Sequence, residues 1–133
     1  MRKSQITATF SAPVAKVWQM VTDNENAAAW RSDIASITVK DNGRIFVETT
    51  PGGMETTFTI TLQEPMERYE FDMANCNFTG HWSGVFCQTP SGGTRIVFTE
   101  EIHVKSKMME MASYLFMNLK KMQETYIRDL RIA

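Results

Sequence analysis

Polar and apolar residues alternate along most of this chain, and the departures from alternation mark its helices. In residues 4–10, Ile6, Ala8 and Phe10 fall on one side and Gln5, Thr7 and Thr9 on the other, which predicts a half-buried strand. Ser11-Ala12-Pro13 then opens a helix, with Ser as the expected cap and Pro in the first turn. Val14, Val17, Trp18 and Val21 follow at helical spacing and form one apolar stripe. Thr22-Asp23-Asn24 interrupts it, and Glu25 to Trp30 reads as a second short helix. Period-2 segments come next: 32–40, 44–50, 54–63, 68–73, 78–88 and 94–104. Turn chemistry separates them, at Asp41-Asn42-Gly43, Pro51-Gly52-Gly53, Glu64-Pro65-Met66-Glu67, Asn75-Cys76-Asn77 and Pro90-Ser91-Gly92-Gly93. These predict an antiparallel meander of six strands. The chain ends in one long helix, about Lys107 to Arg131, capped by Ser106. Met108, Met111, Ala112, Leu115, Leu119, Met122 and Tyr126 share one of its faces, and Met109, Phe116, Ile127 and Leu130 widen it. A sheet with one apolar face needs a cover, and only the final helix is long enough. The pattern predicts an α+β domain over 1–133, a curved antiparallel sheet around a C-terminal helix.

Loop parity tests the registers, because directly paired residues share a face. In the last hairpin the apolar positions are even on both strands: Phe78, Trp82 and Phe86 against Ile96, Phe98, Ile102 and Val104. The sum of paired residue numbers must then be even and the loop odd, with Gly where positive φ is needed. For Gln63/Arg68 an even loop and an odd sum are expected, with Leu62 and Tyr69 facing together. Strand 44–50 is ambiguous: Ile45/Val47 and Phe46/Glu48 compete for the inside.

Glu100 shares the face of Ile96, Phe98 and Ile102. A pairing sum of 184 sets it opposite Gly84, and 182 sets it opposite Trp82. A carboxylate in an apolar wall costs several kcal/mol unless it is protonated, hydrogen-bonded or wetted. Gly80 and Gly84 remove side chains from the same face, so an inward Glu100 beside them suggests a ligand cavity, and Glu100 is the candidate catalytic acid or base. The competing reading is a bulge near Glu100-Glu101 that turns both acids to solvent. On the outer face, a sum of 184 pairs His81 with His103 near Glu101, a conceivable metal set, whereas 182 gives a simple His81–Glu101 surface contact. Trp18 reads as core. Trp30 is either a core plug or a pocket rim.

Composition narrows the field. Fourteen Lys+Arg against 15 Asp+Glu give a net charge of -1, so there is no basic footprint for nucleic acid. Hydrophobic residues make up 43%, too many for disorder, and the length suits one domain. No apolar run approaches the roughly 18 residues of a membrane span. The opening MRKSQITATF lacks an apolar core, so no secretory signal is expected. Cys76 and Cys87 then read as reduced, buried thiols of a cytoplasmic protein, and the Asn77-Phe78-Thr79 sequon as chance. No phosphate-binding, nucleophile-elbow or zinc-helix motif is present, so no cofactor and no metal are expected.

Three segments resemble the polyketide cyclase/START-like (SRPBCC) superfamily. Ser11 to Trp18 (SAPVAKVW) is similar to the family's "sAPvekVW" opening. Trp30-Arg31-Ser32-Asp33-Ile34 resembles "W-x-P-D-V", with Ser32 where Pro is common. Gly93 to Glu101 (GTRIVFTEE) resembles the family's last strand. The resemblance implies the helix-grip fold: seven antiparallel strands, two short helices after the first strand, and a C-terminal helix gripped by the sheet. It also implies an apolar cavity that takes lipids, sterols, polyketides or aromatics, without implying a reaction.

The leading expectation is a binding module for one small hydrophobic molecule, acting as a monomer or homodimer. The expected lining is Trp30, Phe58, Phe71, Met73, Trp82, Phe86, Phe98, Glu100, Met109, Met111 and Phe116. A cyclase or dehydratase-like enzyme using Glu100 is the alternative, and a protein-interaction or chaperone-partner module is the third. Ten residues are Met. Five of them lie in the final helix, either as core filling or as a soft wall on the cavity.

Overall fold

The computed structural model describes residues 1–133 apart from the side chains of residues 114–116. Strand β1 (Arg2–Phe10) leads into α1 (Val14–Thr22) and a short 3-10 helix, Asn24–Ala29. Six strands follow: β2 (Ser36–Lys40), β3 (Ile45–Thr49), β4 (Glu55–Glu64), β5 (Arg68–Ala74), β6 (Phe78–Gln88) and β7 (Thr94–Val104). Helices α2 (Lys107–Phe116) and α3 (Leu119–Ile132) close the chain. The seven strands form one antiparallel sheet in the order β1-β7-β6-β5-β4-β3-β2, so β1 joins the open edge of the meander. Among the described residues, no helix is long and apolar enough to cross a membrane.

Local chemistry explains most boundaries. Burial in β1 alternates residue by residue, as its sequence requires. Pro13, not Ser11, occupies the position before α1, and no side chain caps that helix. The Pro13 carbonyl accepts from the Lys16 and Val17 N–H groups instead. Segment 32–35 is loop, so β2 begins at Ser36. The β6–β7 loop is odd, as parity demands, and Gly92 supplies its positive φ of 87°. Its register sum is 182, with Trp82 opposite Glu100 and Gly84 opposite Phe98. No bulge interrupts this ladder, so Glu100 stays on the inner face.

Hairpin β4–β5 departs from expectation. Near its turn Gln63 pairs with Tyr69, an even sum, and a bulge between Ile60 and Leu62 restores the odd sum, with Ile60 opposite Phe71. Leu62 therefore meets Glu70 and not Tyr69. The ambiguity of β3 resolves with Phe46 and Glu48 buried. Both cysteines are free and exposed, not buried. Cys87 has outer-face parity opposite Arg95, and Cys76 sits in the β5–β6 turn.

The long C-terminal helix is present but interrupted at Met117-Asn118. Ser106 caps α2 by accepting from the Met109 N–H at 3.1 Å, and Asn118 caps α3 by accepting from the Lys121 N–H at 3.0 Å. The break resets the helical phase, so the face read across 107–131 does not carry through. Met108 and Met111 are 81% and 75% exposed and Met122 is also exposed, while Leu119 and Ile127 are buried. Leu115 and Phe116 lie outside the described side chains.

The helices cover the inner face unevenly. Val17, Val21, Ile127 and Leu130 pack with Phe10, Tyr69, Phe86, Ile96 and Phe98 into one dense cluster. Trp18, partly buried, packs against this cluster edge-on to Phe86 at 5.0 Å and Tyr69 at 5.9 Å. A smaller cluster of Phe46, Phe58 and Met73 lies on the β3–β5 half. Between that half of the sheet and the C-terminal helices the interior is hollow.

Candidate functional site

The hollow is a cavity of about 570 Å³ bounded by β3–β7, α2, α3 and the 24–34 segment. Its wall is aromatic because the register makes it so. Phe46 lies directly opposite Phe58, and Phe71 opposite Trp82. Each pair stacks within 3° of parallel, with ring centres 4.7 Å and 4.8 Å apart. Phe71 meets Phe58 edge-on at 5.3 Å, and Trp82 meets Phe98 at 4.7 Å. Such contacts fix ring orientations as well as burying area.

A polar cluster sits at one end. Arg31 donates through Nη1 and Nη2 to Glu48 at 2.6 and 3.2 Å. Through Nε and Nη2 it also donates to Asp33 at 3.0 and 2.7 Å. Burial opposes the Arg31 charge, but Glu48 and Asp33 outweigh it and hold the guanidinium protonated. Burial likewise raises the Glu48 carboxyl, with Arg31 working against the rise. The bidentate contact keeps this an ionic pair. The Arg31 guanidinium also lies 5.2 Å from the centre of the Tyr126 ring. Asp129 of α3 steadies the same segment: its carboxylate accepts from the Ser32 N–H at 2.8 Å and the Ser32 hydroxyl at 2.7 Å. Asn24 donates to the Tyr69 hydroxyl at 2.9 Å.

Glu100 stands apart from this network. It lines the cavity, yet no described residue gives it a hydrogen bond or an ion pair. Burial pushes its carboxyl up to about 7; the Arg31 charge pulls against this, and Glu48 and Asp33 add to it. Tyr126 also lines the cavity, and its hydroxyl has no hydrogen-bond partner among the described residues. Burial raises its pKa as well.

The expected lining is largely assembled. Trp30, Phe58, Phe71, Met73, Trp82, Phe98, Glu100 and Met109 all face the cavity. Trp30 rests edge-on against Tyr126 at 5.3 Å, so it is at once packed and part of the rim. Phe86 is 3% exposed in the dense cluster beside Trp18 and does not reach the cavity. Met111 points to solvent on the far side of α2. Phe116 lies outside the described side chains. The glycines do not open space as expected. A Cβ on Gly84 would meet the Trp82 ring at 2.6 Å, and one on Gly80 would meet the Glu101 carbonyl at 2.5 Å. The Trp82 ring fills the gap that Gly84 leaves.

Sequence reasoning did not select Arg31, Glu48, Asp33 or Tyr126 as site residues. The signal for Glu48 was its parity with Phe46: burying one buries the other. On the outer face His81 lies opposite Glu101, as the 182 register requires. Its hydrogen bonds go to β5, from Nδ1 to Asp72 at 2.7 Å and from Nε2 to Glu70 at 2.8 Å. Among the described residues, no group of three or more His, Cys, Asp or Glu is arranged to hold a metal ion.

Comparison with known proteins adds to this geometry. A family model described as "Polyketide cyclase / dehydrase and lipid transport" matches residues 1–123. No curated protein matches the chain by sequence. Solved structures match in fold. A START superfamily protein from Mycobacterium smegmatis superposes with a TM-score of 0.77 at 11% identity, covering 97% of this chain and 94% of that one. Norcoclaurine synthase from Thalictrum flavum, in complex with dopamine and hydroxybenzaldehyde, gives 0.75 at 12% identity, covering 98% and 84%. The di-domain ARO/CYC protein BexL of the BE-7585A biosynthetic pathway gives 0.79 at 10% identity, covering 98% of this chain and 45% of that one.

Proposed function

The chain belongs to the polyketide cyclase / dehydrase and lipid transport family, and from that premise we propose that it is a single domain binding one small, largely apolar molecule between its sheet and its C-terminal helices. The observation that carries this reading is the cavity of about 570 Å³, walled by stacked aromatics, with Arg31, Glu48 and Glu100 in its lining. Its volume falls within the range of roughly 300–1,000 Å³ typical of small-molecule sites, as does its mix of apolar wall and few polar groups. A neighbour of the same fold is known in complex with dopamine and hydroxybenzaldehyde, both aromatic. A ligand that binds only the folded chain raises its melting temperature with concentration. A thermal-shift series with sterols, fatty acids, flavonoids and polyketide-like aromatics should therefore give dose-dependent shifts for at least one class. Flat curves for all classes up to their solubility limits would reject the reading.

Glu100 supports a second reading, a cyclase or dehydratase-like enzyme. A carboxyl held near neutrality in a cavity, without a partner among the described residues, is suited to proton transfer at physiological pH. With a ligand in hand, Glu100→Gln should abolish turnover while leaving binding in place. Unchanged turnover in that variant would remove the enzyme reading and leave the binding one.

A further inference from the structure

The polar end of the cavity is built to discriminate by charge, an inference that rests on the binding reading above. Arg31 is the only cation among the described residues that line it, and the guanidinium is already engaged: four of its N–H···O contacts run to Glu48 and Asp33. An incoming anion would find at most one of its five N–H groups free. Two carboxylates against one guanidinium also leave this end with excess negative charge before Glu100 is counted. Like charges brought together in a desolvated site are strongly disfavoured. Among the described residues that line the cavity, two polar groups lack internal partners, the Glu100 carboxyl and the Tyr126 hydroxyl. A protonated carboxyl and a phenol can each donate a hydrogen bond.

We propose that the cavity takes an uncharged ligand that presents a hydrogen-bond acceptor, such as a ketone carbonyl, to Glu100 and Tyr126, and that it turns away a carboxylate of the same shape. The charges that act on Glu100 are Arg31 and Asp33 from the loop before β2 and Glu48 from β3, and Tyr69 from β5 and Tyr126 from α3 line the same cavity. Glu100 titrates at about 7. The two tyrosines, both raised by burial, remain phenols, and the Arg31–Glu48 pair stays ionic. Below neutrality Glu100 is therefore a donor. Above it the carboxylate can no longer donate, and the carbonyl loses that hydrogen bond.

The test uses the full chain and three probes on one tricyclic skeleton: methyl anthryl ketone, anthracene carboxylate and anthrylmethyl ammonium. Binding is followed by fluorescence titration at pH 6 and pH 8.5. The ketone should bind about tenfold or more tighter than the carboxylate at pH 6, a difference of about 1.4 kcal/mol, and should weaken at pH 8.5. Glu100→Gln should retain ketone binding, because the amide still donates, and should lose the pH dependence. Tyr126→Phe should weaken the ketone without altering its pH profile. A carboxylate that binds as tightly as the ketone at pH 6 overturns the inference while leaving the binding reading intact. An ammonium that binds more tightly than the ketone does the same, because net charge and not the donor pair would then set the selectivity. A pH profile that survives Glu100→Gln also overturns it. If none of the three binds, the binding reading fails for this class and the inference falls with it.

Discussion

Glu100→Gln keeps the shape of a cavity side chain and removes its titration, so it isolates the cost of an acid in this wall. In the folded chain the carboxyl titrates at about 7, against an ordinary value of 4.5, because burial disfavours the charged form. A raised carboxyl leaves stability intact below about pH 4.5, where both folded and unfolded chains hold the proton. As pH rises toward 7 the unfolded chain releases its proton first, and stability falls until the folded carboxyl also ionises. The two values differ by about 2.5, and at about 1.36 kcal/mol per whole step the full loss is about 3 kcal/mol. The Gln variant does not suffer this loss. Urea denaturation of both proteins should give nearly equal stability at pH 4 and a difference in favour of Glu100→Gln that reaches about 3 kcal/mol at pH 8. A difference that stays flat between pH 4 and pH 8 would mean that Glu100 ionises as it does in open water, and the reasoning about a buried acid would be wrong.

Three further substitutions probe the same architecture. Arg31→Met should cost about 3–5 kcal/mol in urea denaturation by leaving the Glu48 charge buried and unpaired, and adding Glu48→Leu should recover much of it; a single-variant loss below about 1 kcal/mol would show that the pair does not hold this end together. Gly84→Ala should lose about 1–3 kcal/mol and shift the Trp fluorescence, because the new methyl carbon would stand 2.6 Å from the Trp82 ring; wild-type stability and emission would argue against that packing. Met111→Gln should stay within about 0.5 kcal/mol of wild type in the same assay and leave probe binding unchanged, whereas a loss of binding would return Met111 to the cavity wall.

What could be read in the sequence was what depends on near neighbours. The alternation of β1, the Ser106 cap and the odd β6–β7 loop are local, and loop parity puts Glu100 on the inner face wherever no bulge intervenes. The family resemblance supplied the helix-grip arrangement and its cavity. Features that depend on distant partners were harder to see. A β-bulge adds one residue without a compositional mark, so the shift between Ile60 and Leu62 left Leu62 assigned to the wrong partner. The break at Met117-Asn118 did carry a signal. Asn favours helix starts, and Asn118 caps α3, but an unbroken apolar period concealed it and set Met108 and Met111 on the wrong face.

The candidate site was legible in its apolar wall and in Glu100, and missed in Arg31, Asp33, Glu48 and Tyr126. Phe58, Phe71, Trp82 and Phe98 follow from strand parity alone. Arg31 meets Glu48 from a loop that the Ser32–Asp129 hydrogen bonds hold against α3, a contact no local pattern encodes. The glycines teach the complementary lesson. A missing side chain leaves room only where no neighbour moves in, and Trp82 covers Gly84.

Native mass spectrometry of the freshly purified chain tests the central claim, a cavity that holds a small apolar molecule, most directly. The account predicts a species carrying one small molecule that is released on denaturation, and a bare protein that takes up one methyl anthryl ketone when it is added. An Ala112→Trp variant, whose indole would occupy part of the cavity, should take up none. A bare wild-type mass that no apolar probe shifts at any concentration up to solubility would contradict the account.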